Sequence, residues 1–377
     1  MEKANIKSYD TSPKIRYAWV DYAKFFSIFL VVSYHIPHRA DGYVGELLSL
    51  LRMPAFFMIA GFLFNTNKFH SLSYFLKHRS IQLLIPYISF FTFFYISWLL
   101  FGRDWIGGNE LDIPLWKPLM EFAYGTPVTI IAPYWFICCL FSMQIIYYLL
   151  IRQFPKPIVI IIVSICPLLH CIPWTSYLPW NLSAALLYIP FYAFSNMNKD
   201  FIQSLTSKHI LGAIIAFCIT LVCIRYGNYS NMIFKNIQIV ICGLLVMPIY
   251  TIFIKAFSHL KIDKAVSFIG KNTIIILALQ NYIIGCFKLY FKSIIEYGGY
   301  ATNIILTLLT IIICCLPIKL INSYVPFLVG RGPYFEKKLK KDEDMKIKFS
   351  SLINIHCRMK STNEKNIVKH NLSALSR

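Results

Sequence analysis

The chain has 377 residues, of which 57% are hydrophobic and only 14% charged, and its formal net charge is +20. A soluble domain carries roughly 25% charged residues, and no water-soluble core hides runs as long as 158–169, 210–224 and 304–316 without a single charge, so the solvent is a bilayer. In that setting the positive excess is an orientation signal and an affinity for anionic headgroups, not a nucleic-acid footprint.

Residues 1–16, with Lys3, Lys7, Lys14 and Arg16, read as a cytoplasmic lead and not as a cleavable signal peptide. The first predicted helix, 17–37, holds Asp21, Lys24 and His35 within one span. Ionisable groups in hydrocarbon are costly, so each is a functional candidate. Lys24 and His35 are eleven residues apart, which is about 16 Å along a helix axis and about three turns, so they share a face. Asp21 and Lys24, three apart, can pair. Of the nine histidines, His35 is the one well placed as an intramembrane base, and an imidazole suits removal of a proton from a hydroxyl. The plainer alternatives are a packing histidine and an Asp–Lys pair that reaches for the interface.

The second helix, 45–66, contains Glu46 and is interrupted at Arg52-Met53-Pro54, with Gly61 beyond. Lys77-His78-Arg79 precede the third helix, 82–102, on the cytoplasmic face. A basic cluster there either holds phosphates of a soluble donor or only sets topology. The loop 103–129 gathers Asp104, Glu110, Asp112 and Glu121, and the fourth helix, 130–151, opens on Tyr134-Trp135-Phe136. Those rings line a sugar or acyl pocket or belong to the aromatic belt, where Trp19, Trp98, Trp180 and Tyr250 are also placed. Helices at 157–173, 178–195, 209–225, 234–254, 268–288 and 301–322 bring the count to about ten.

The eleven cysteines include the adjacent pairs Cys138-Cys139 and Cys314-Cys315, lack metal-ligand spacing and read as packing residues, with no metal site expected. Residues 331–377, rich in Lys, Asn and Ser, read as a disordered cytoplasmic tail whose basic cluster at 337–341 either touches anionic lipid or is merely solvated.

Loops assigned inside carry Lys68, Lys77, Arg79, Arg152, Lys156, Lys199, Lys208, Lys255, Lys261 and Lys264. Loops and helix ends assigned outside carry fewer: Arg39, Arg103, Lys117, Arg225, Lys235, Lys288 and Lys292. This bias puts both termini in the cytoplasm and makes the number of spans even. The expected fold is all-α, a polytopic integral membrane bundle of about ten transmembrane helices, with 17–330 as one domain.

Several segments together resemble the membrane-bound acyltransferase family 3, which includes fucose 4-O-acetylase-like and O-antigen acetyltransferases. They are Arg16…Asp21-Tyr22-Ala23-Lys24…His35, Met53-Pro54-Ala55-Phe56-Phe57-Met58-Ile59-Ala60-Gly61, Arg79…Leu83-Leu84-Ile85-Pro86-Tyr87, Tyr134-Trp135-Phe136, and Phe268-Ile269-Gly270-Lys271-Asn272-Thr273. Each is loose; their order and spacing carry the resemblance, which ends near Gly330.

The resemblance implies a helical bundle that transfers an acyl group, usually acetyl from acetyl-CoA, to a hydroxyl of a surface glycan or its lipid-linked precursor. It implies His35 as the catalytic base with a basic residue, here Lys24, eleven positions before it. The family usually has Arg there; Lys keeps the charge but loses the planar two-point grip. Arg52 and Gln280 stand where the family often has His, and Gln82 where a second basic residue is common. On this reading Asp21 orients Lys24, Arg79 and Arg52 contact the acyl donor, and Trp135 stacks on the acceptor sugar. Acetyl-CoA is a substrate and not a bound cofactor, and the setting is the bacterial inner membrane. His35 lies toward the outer end of its helix, so an acyl group from a cytosolic donor travels far across the bilayer, along a channel or through a relay. A glycan flippase or other transporter is the alternative, although the paired broken helices of repeat-built transporters are not seen. A glycan polymerase would call for a larger external loop than 103–129.

Overall fold

The computed structural model describes residues 17–335 and 337, apart from 70, 102–112, 128–129, 228–230, 261 and 292–296. The lead 1–16, much of the acidic loop 103–129, and the tail beyond 337 with nearly all of its basic cluster lie outside the described residues.

In chain order the helices are α1 (Ala18–His35), α2 (Gly42–Leu63), α3 (Leu72–Arg79), α4 (Ile85–Phe101), α5 (Trp116–Tyr124), α6 (Trp135–Gln153) and α7 (Lys156–Leu169). They continue with α8 (Leu182–Met197), α9 (Lys199–Ser204), α10 (Ile210–Tyr226), α11 (Met232–Phe257), α12 (Asp263–Lys271), α13 (Thr273–Tyr290) and α14 (Tyr300–Tyr324). No strand occurs among the described residues, and each of the predicted spans coincides with helix. Among the described residues seven helical runs are long and apolar enough to cross a membrane: Gly42–Leu63, Leu72–Leu100, Trp135–Gln153, Ser207–Tyr226, Met232–Leu260, Thr273–Tyr290 and Tyr300–Tyr324. The apolar α7 and α8 are shorter, at 14 and 16 residues, and α1 has 18 with Asp21 and Lys24 among them. The protein is a polytopic helical bundle.

Four expectations need correction. The second helix is not interrupted at Arg52-Met53-Pro54: α2 is continuous from Gly42 to Leu63 with Pro54 inside it. Lys77-His78-Arg79 do not precede the third span but lie inside it, because the helix starts at Leu72 and runs through a π turn, Ser80–Leu84, into α4. The π turn widens the backbone just where Pro86 removes a donor and its ring would strike the carbonyl four residues back. The ninth span does not begin at 268: α12 is a separate short helix, and the chain breaks at Asn272 (φ −118°, ψ 21°) before α13. Two of the expected belt aromatics face protein instead. Trp98 is 1% exposed, and the Tyr250 hydroxyl donates to the Ala23 carbonyl at 3.1 Å.

The chain divides into two compact units, 1–64 with 94–319 and 65–93 with 320–377. In the larger unit α2, α7 and α6 pack around α8, and α1 is held by α2, α11, α12 and α13. Small residues and side-chain amides set the approach, as expected for helices whose surroundings are as apolar as their own side chains. A Cβ on Gly61 would run into the Tyr192 carbonyl oxygen, so α2 and α8 meet backbone to backbone there. Asn196 of α8 then closes the end of α2, donating to the carbonyls of Gly61 (2.9 Å) and Phe64 (2.7 Å). In the smaller unit Ser71 caps α3 by accepting from the Tyr74 amide at 3.2 Å, and Phe69 and Phe75 form a buried aromatic core.

Candidate active site

Both ends of α1 are fixed by other helices. At its start Gly270 of α12 rides directly on the backbone; a Cβ there would lie 2.6 Å from the Asp21 carbonyl oxygen. In its middle Tyr250 of α11 bonds Ala23 and lies 3.3 Å from Ser27 Oγ. The last carbonyls of a helix have no intrahelical partner, and here Asn303 of α14 supplies one. Its Nδ2 lies 3.0, 3.2 and 3.0 Å from the carbonyl oxygens of Ser33, Ile36 and Pro37. Its Oδ1 accepts from Ser33 Oγ at 2.6 Å. Asn303 is 3% exposed. His35, the last residue of α1, is thus presented from a pinned helix end.

His35 opens onto a cavity of about 270 Å³, whose lining includes Ile28 and Val31 of α1, Arg52, Met53 and Phe56 of α2, Trp135 and Phe136 of α6, Tyr188 of α8, and Thr273 and Leu277 of α13. The walls are mostly apolar and aromatic with a few polar groups converging, the usual composition of a small-molecule site, and the volume lies just below the ~300–1,000 Å³ range of such sites. From Ile28 to His35 the cavity follows α1 for about 10 Å. The Arg52 guanidinium stacks on the Tyr34 ring at 3.7 Å from its centroid, and Arg39 approaches the same ring at 4.4 Å. Arg39 also pairs with Asp41 at 3.4 Å. The stacking holds the Arg52 cation over the ring face, within the cavity that His35 shares. Tyr188 is itself stacked on Phe57, centroids 5.0 Å apart.

A second cleft, about 580 Å³, lies at the start of α1 and is lined by Asp21, Tyr22, Lys264, Ser267, Lys271 and Asn272 among others. Asp21 is 8% exposed. Lys24, half-buried one turn further on, lines neither cavity. Asn272 borders the cleft and the next residue, Thr273, borders the His35 cavity. Asp21 and His35 are about 21 Å apart along the axis.

Of the residues singled out from sequence, His35, Arg52 and Trp135 are therefore brought together, while Asp21 lies in the other cleft. Arg79 belongs to the smaller unit. There its Nη1 donates to Gln82 Oε1 at 2.9 Å and its guanidinium lies 5.2 Å from the centroid of the Phe69 ring. Sequence reasoning missed Asn303, Tyr34 and Tyr188. A lone Asn or Tyr in an apolar helix carries no local signal, and Asn303 acts on residues 266–270 positions away.

A family model for an acyltransferase domain, acyltransferase 3, matches residues 17–319, which takes in every helix up to most of α14. No curated protein and no solved structure matches the chain.

Proposed function

The chain belongs to the membrane acyltransferase family 3, and we propose that it is an O-acyltransferase of the bacterial inner membrane, with both termini cytoplasmic. It would move acetyl, or another short acyl group, from acyl-CoA to a hydroxyl of a surface glycan or its lipid-linked precursor. The observation that carries this reading is the convergence of His35, Arg52 and Trp135 on one cavity. An imidazole, a guanidinium and a flat indole are a base, an anchor for developing negative charge and a platform for a sugar ring.

The acceptor hydroxyl gives its proton to the His35 imidazole as its oxygen bonds the thioester carbonyl carbon. The tetrahedral adduct collapses with its C–S bond broken, the proton passes from His35 to the leaving thiolate, and an ester and free CoA thiol remain. Arg52 holds the acyl end of the donor. The cleft with Lys264 and Lys271 suits the donor's anionic end, with Asp21 orienting Lys24 and Lys24 adding charge above the cleft. An extended pantetheine arm is of the order of the distance from that cleft to His35. Arg79 is a separate contact for the donor phosphates.

The test is His35→Gln beside His35→Ala. General-base catalysis contributes about 10²–10⁴-fold in rate. Gln keeps hydrogen bonding and approximate size but takes up no proton near neutral pH. Both variants are expected in the membrane at normal levels with glycan acylation nearly abolished. Near-normal acylation in the Gln variant refutes the base and favours a transporter.

A further inference from the structure

Tyr188 of α8 lines the His35 cavity. Pro190, two residues on and so about 200° around the helix, lines a different space, a groove of about 520 Å³ between α7, α8 and α11. A small floor between bulky walls makes the trough: Pro190 and Ala193 of α8 are buried, whereas Ile160 of α7 and Ile241 of α11 are exposed. One end is shut, since Asn236 of α11, 3% exposed, donates to the carbonyl of the lining residue Pro167 at 3.1 Å. The other end carries Lys156, the first residue of α7. Its ammonium lies 3.5 Å from the Met197 carbonyl oxygen and has no carboxylate partner among the described residues. Lys199, next to the lining residue Asn198, is taken up by the Phe64 carbonyl. From Arg152 to Lys208 the one acid, Asp200, faces four basic residues, Arg152, Lys156, Lys199 and Lys208. From Lys156 to Leu168, which also lines the groove, the chain runs twelve residues of α7, about 18 Å. Half of a ~30 Å hydrocarbon core is about 15 Å, so the groove is as deep as one leaflet.

We propose that this groove binds an anionic phospholipid, one acyl chain lying in the trough and the phosphate on the Lys156 ammonium. The leaflet is the cytoplasmic one, because the lysine bias assigns Lys156 inside; only that choice of leaflet rests on the orientation proposed above, and the binding itself does not. Three features select this occupant. The cation at the open end meets a headgroup phosphate at its ordinary depth. The apolar trough takes hydrocarbon and offers a sugar nothing to bond. The shut end fits a chain that stops at mid-bilayer, whereas a polyprenyl chain is far longer than one leaflet. The bound chain fills the space between α7 and α11 and packs on the face of α8 opposite Tyr188, so it stabilises a wall of the His35 cavity from behind.

The test uses the full chain, delipidated in detergent and given phosphatidylglycerol or phosphatidylcholine of the same chain length. Retained lipid is counted by native mass spectrometry, and the thermal midpoint is read alongside. The wild type should hold phosphatidylglycerol about fivefold more tightly than phosphatidylcholine, the scale of one lysine–headgroup contact. Its midpoint should rise with phosphatidylglycerol, since a ligand of the folded state stabilises it. Lys156→Gln should erase the preference and leave phosphatidylcholine binding as it was. Ser164 is an exposed lining residue, so Ser164→Trp should fill the groove, retain one lipid fewer of either kind and keep the lipid-free midpoint. Equal binding of the two lipids by the wild type overturns the proposal, as does an undiminished preference in Lys156→Gln. Lys156 is exposed, so that variant decides the headgroup contact whatever Ser164→Trp does to folding. Displacement of phosphatidylglycerol by an equal amount of polyprenyl phosphate, or a lipid-free dimer, also overturns it by giving the groove another occupant. None of these readouts depends on acyl transfer, so an inactive wild type would refute the enzyme and leave the lipid site standing.

Discussion

Asn303 holds the residue that the sequence marked most clearly. His35 stood out as the imidazole well inside a span, but a histidine at a helix end is only as precise as the end itself. Asn303→Leu removes the donor shared by three carbonyls and the acceptor for Ser33. Each orphaned buried polar group costs about 1–3 kcal/mol, so the thermal midpoint should fall clearly. The rate at saturating donor should fall with it, whereas KM for acyl-CoA should hold, because the cleft suited to the donor's charged end is at the other end of α1. A variant with wild-type rate and midpoint would show that Asn303 positions nothing. Arg79 separates along the opposite axis. Loss of a charge-assisted phosphate contact is worth about 1.5–3 kcal/mol, so Arg79→Ala should raise KM for acyl-CoA and leave the rate at saturation. If a normally expressed Arg79→Ala protein keeps its KM, the residue serves topology only. His35, Arg52 and Trp135 were legible because charge and indole are conspicuous in apolar sequence. Asn303, Tyr34 and Tyr188 were not, because their role depends on which helices become neighbours.

Helices were the legible level of this fold, and their joints were not. Uncharged runs such as 210–224 and 304–316 located α10 and α14 to within a few residues, because length and hydropathy are what a bilayer selects. The break at Asn272 and the π turn at Ser80–Leu84 leave no mark in hydropathy; they follow from a backbone fitting its neighbours. Glycines show the same limit. Gly61 and Gly285 both sit in apolar helices, yet a Cβ at Gly61 would meet the Tyr192 backbone while one at Gly285 would meet nothing within 4 Å. Gly61→Ala should therefore force α2 from α8 and lower the thermal midpoint by several degrees or more. Gly285→Ala should be neutral or stabilising, since Ala is the better helix former by about 1 kcal/mol. Equal midpoints for the two variants in a fluorescence melt would contradict the close α2–α8 approach.

At the scale of the molecule the open quantity is orientation, and the larger unit sorts its segments in a way that bears on it. Tyr17 Oη accepts from Gln203 Nε2 at 2.9 Å, and Lys255 Nζ lies 5.6 Å from the centroid of the Trp19 ring. Lys255 also caps the end of α9, donating to the carbonyls of Ile202, Gln203 and Leu205 at 2.7, 2.8 and 2.9 Å. The start of α1, α9 and the end of α11 therefore meet at one end, and all three border segments that the lysine bias assigned inside. At the other end Tyr43 donates to the Leu221 carbonyl at 2.7 Å and Asn303 bonds the 33–37 stretch, joining segments assigned outside. A sequence bias and a set of contacts thus sort the loops the same way, although only the bias says which end faces the cytoplasm. A reporter active only outside the cytoplasm should be silent when fused after Arg331 and active when fused near Gly108. Activity at Arg331 would sink the even number of spans, put the two termini on opposite sides, and require one of the shorter helices, α7 or α8, to stop short of crossing.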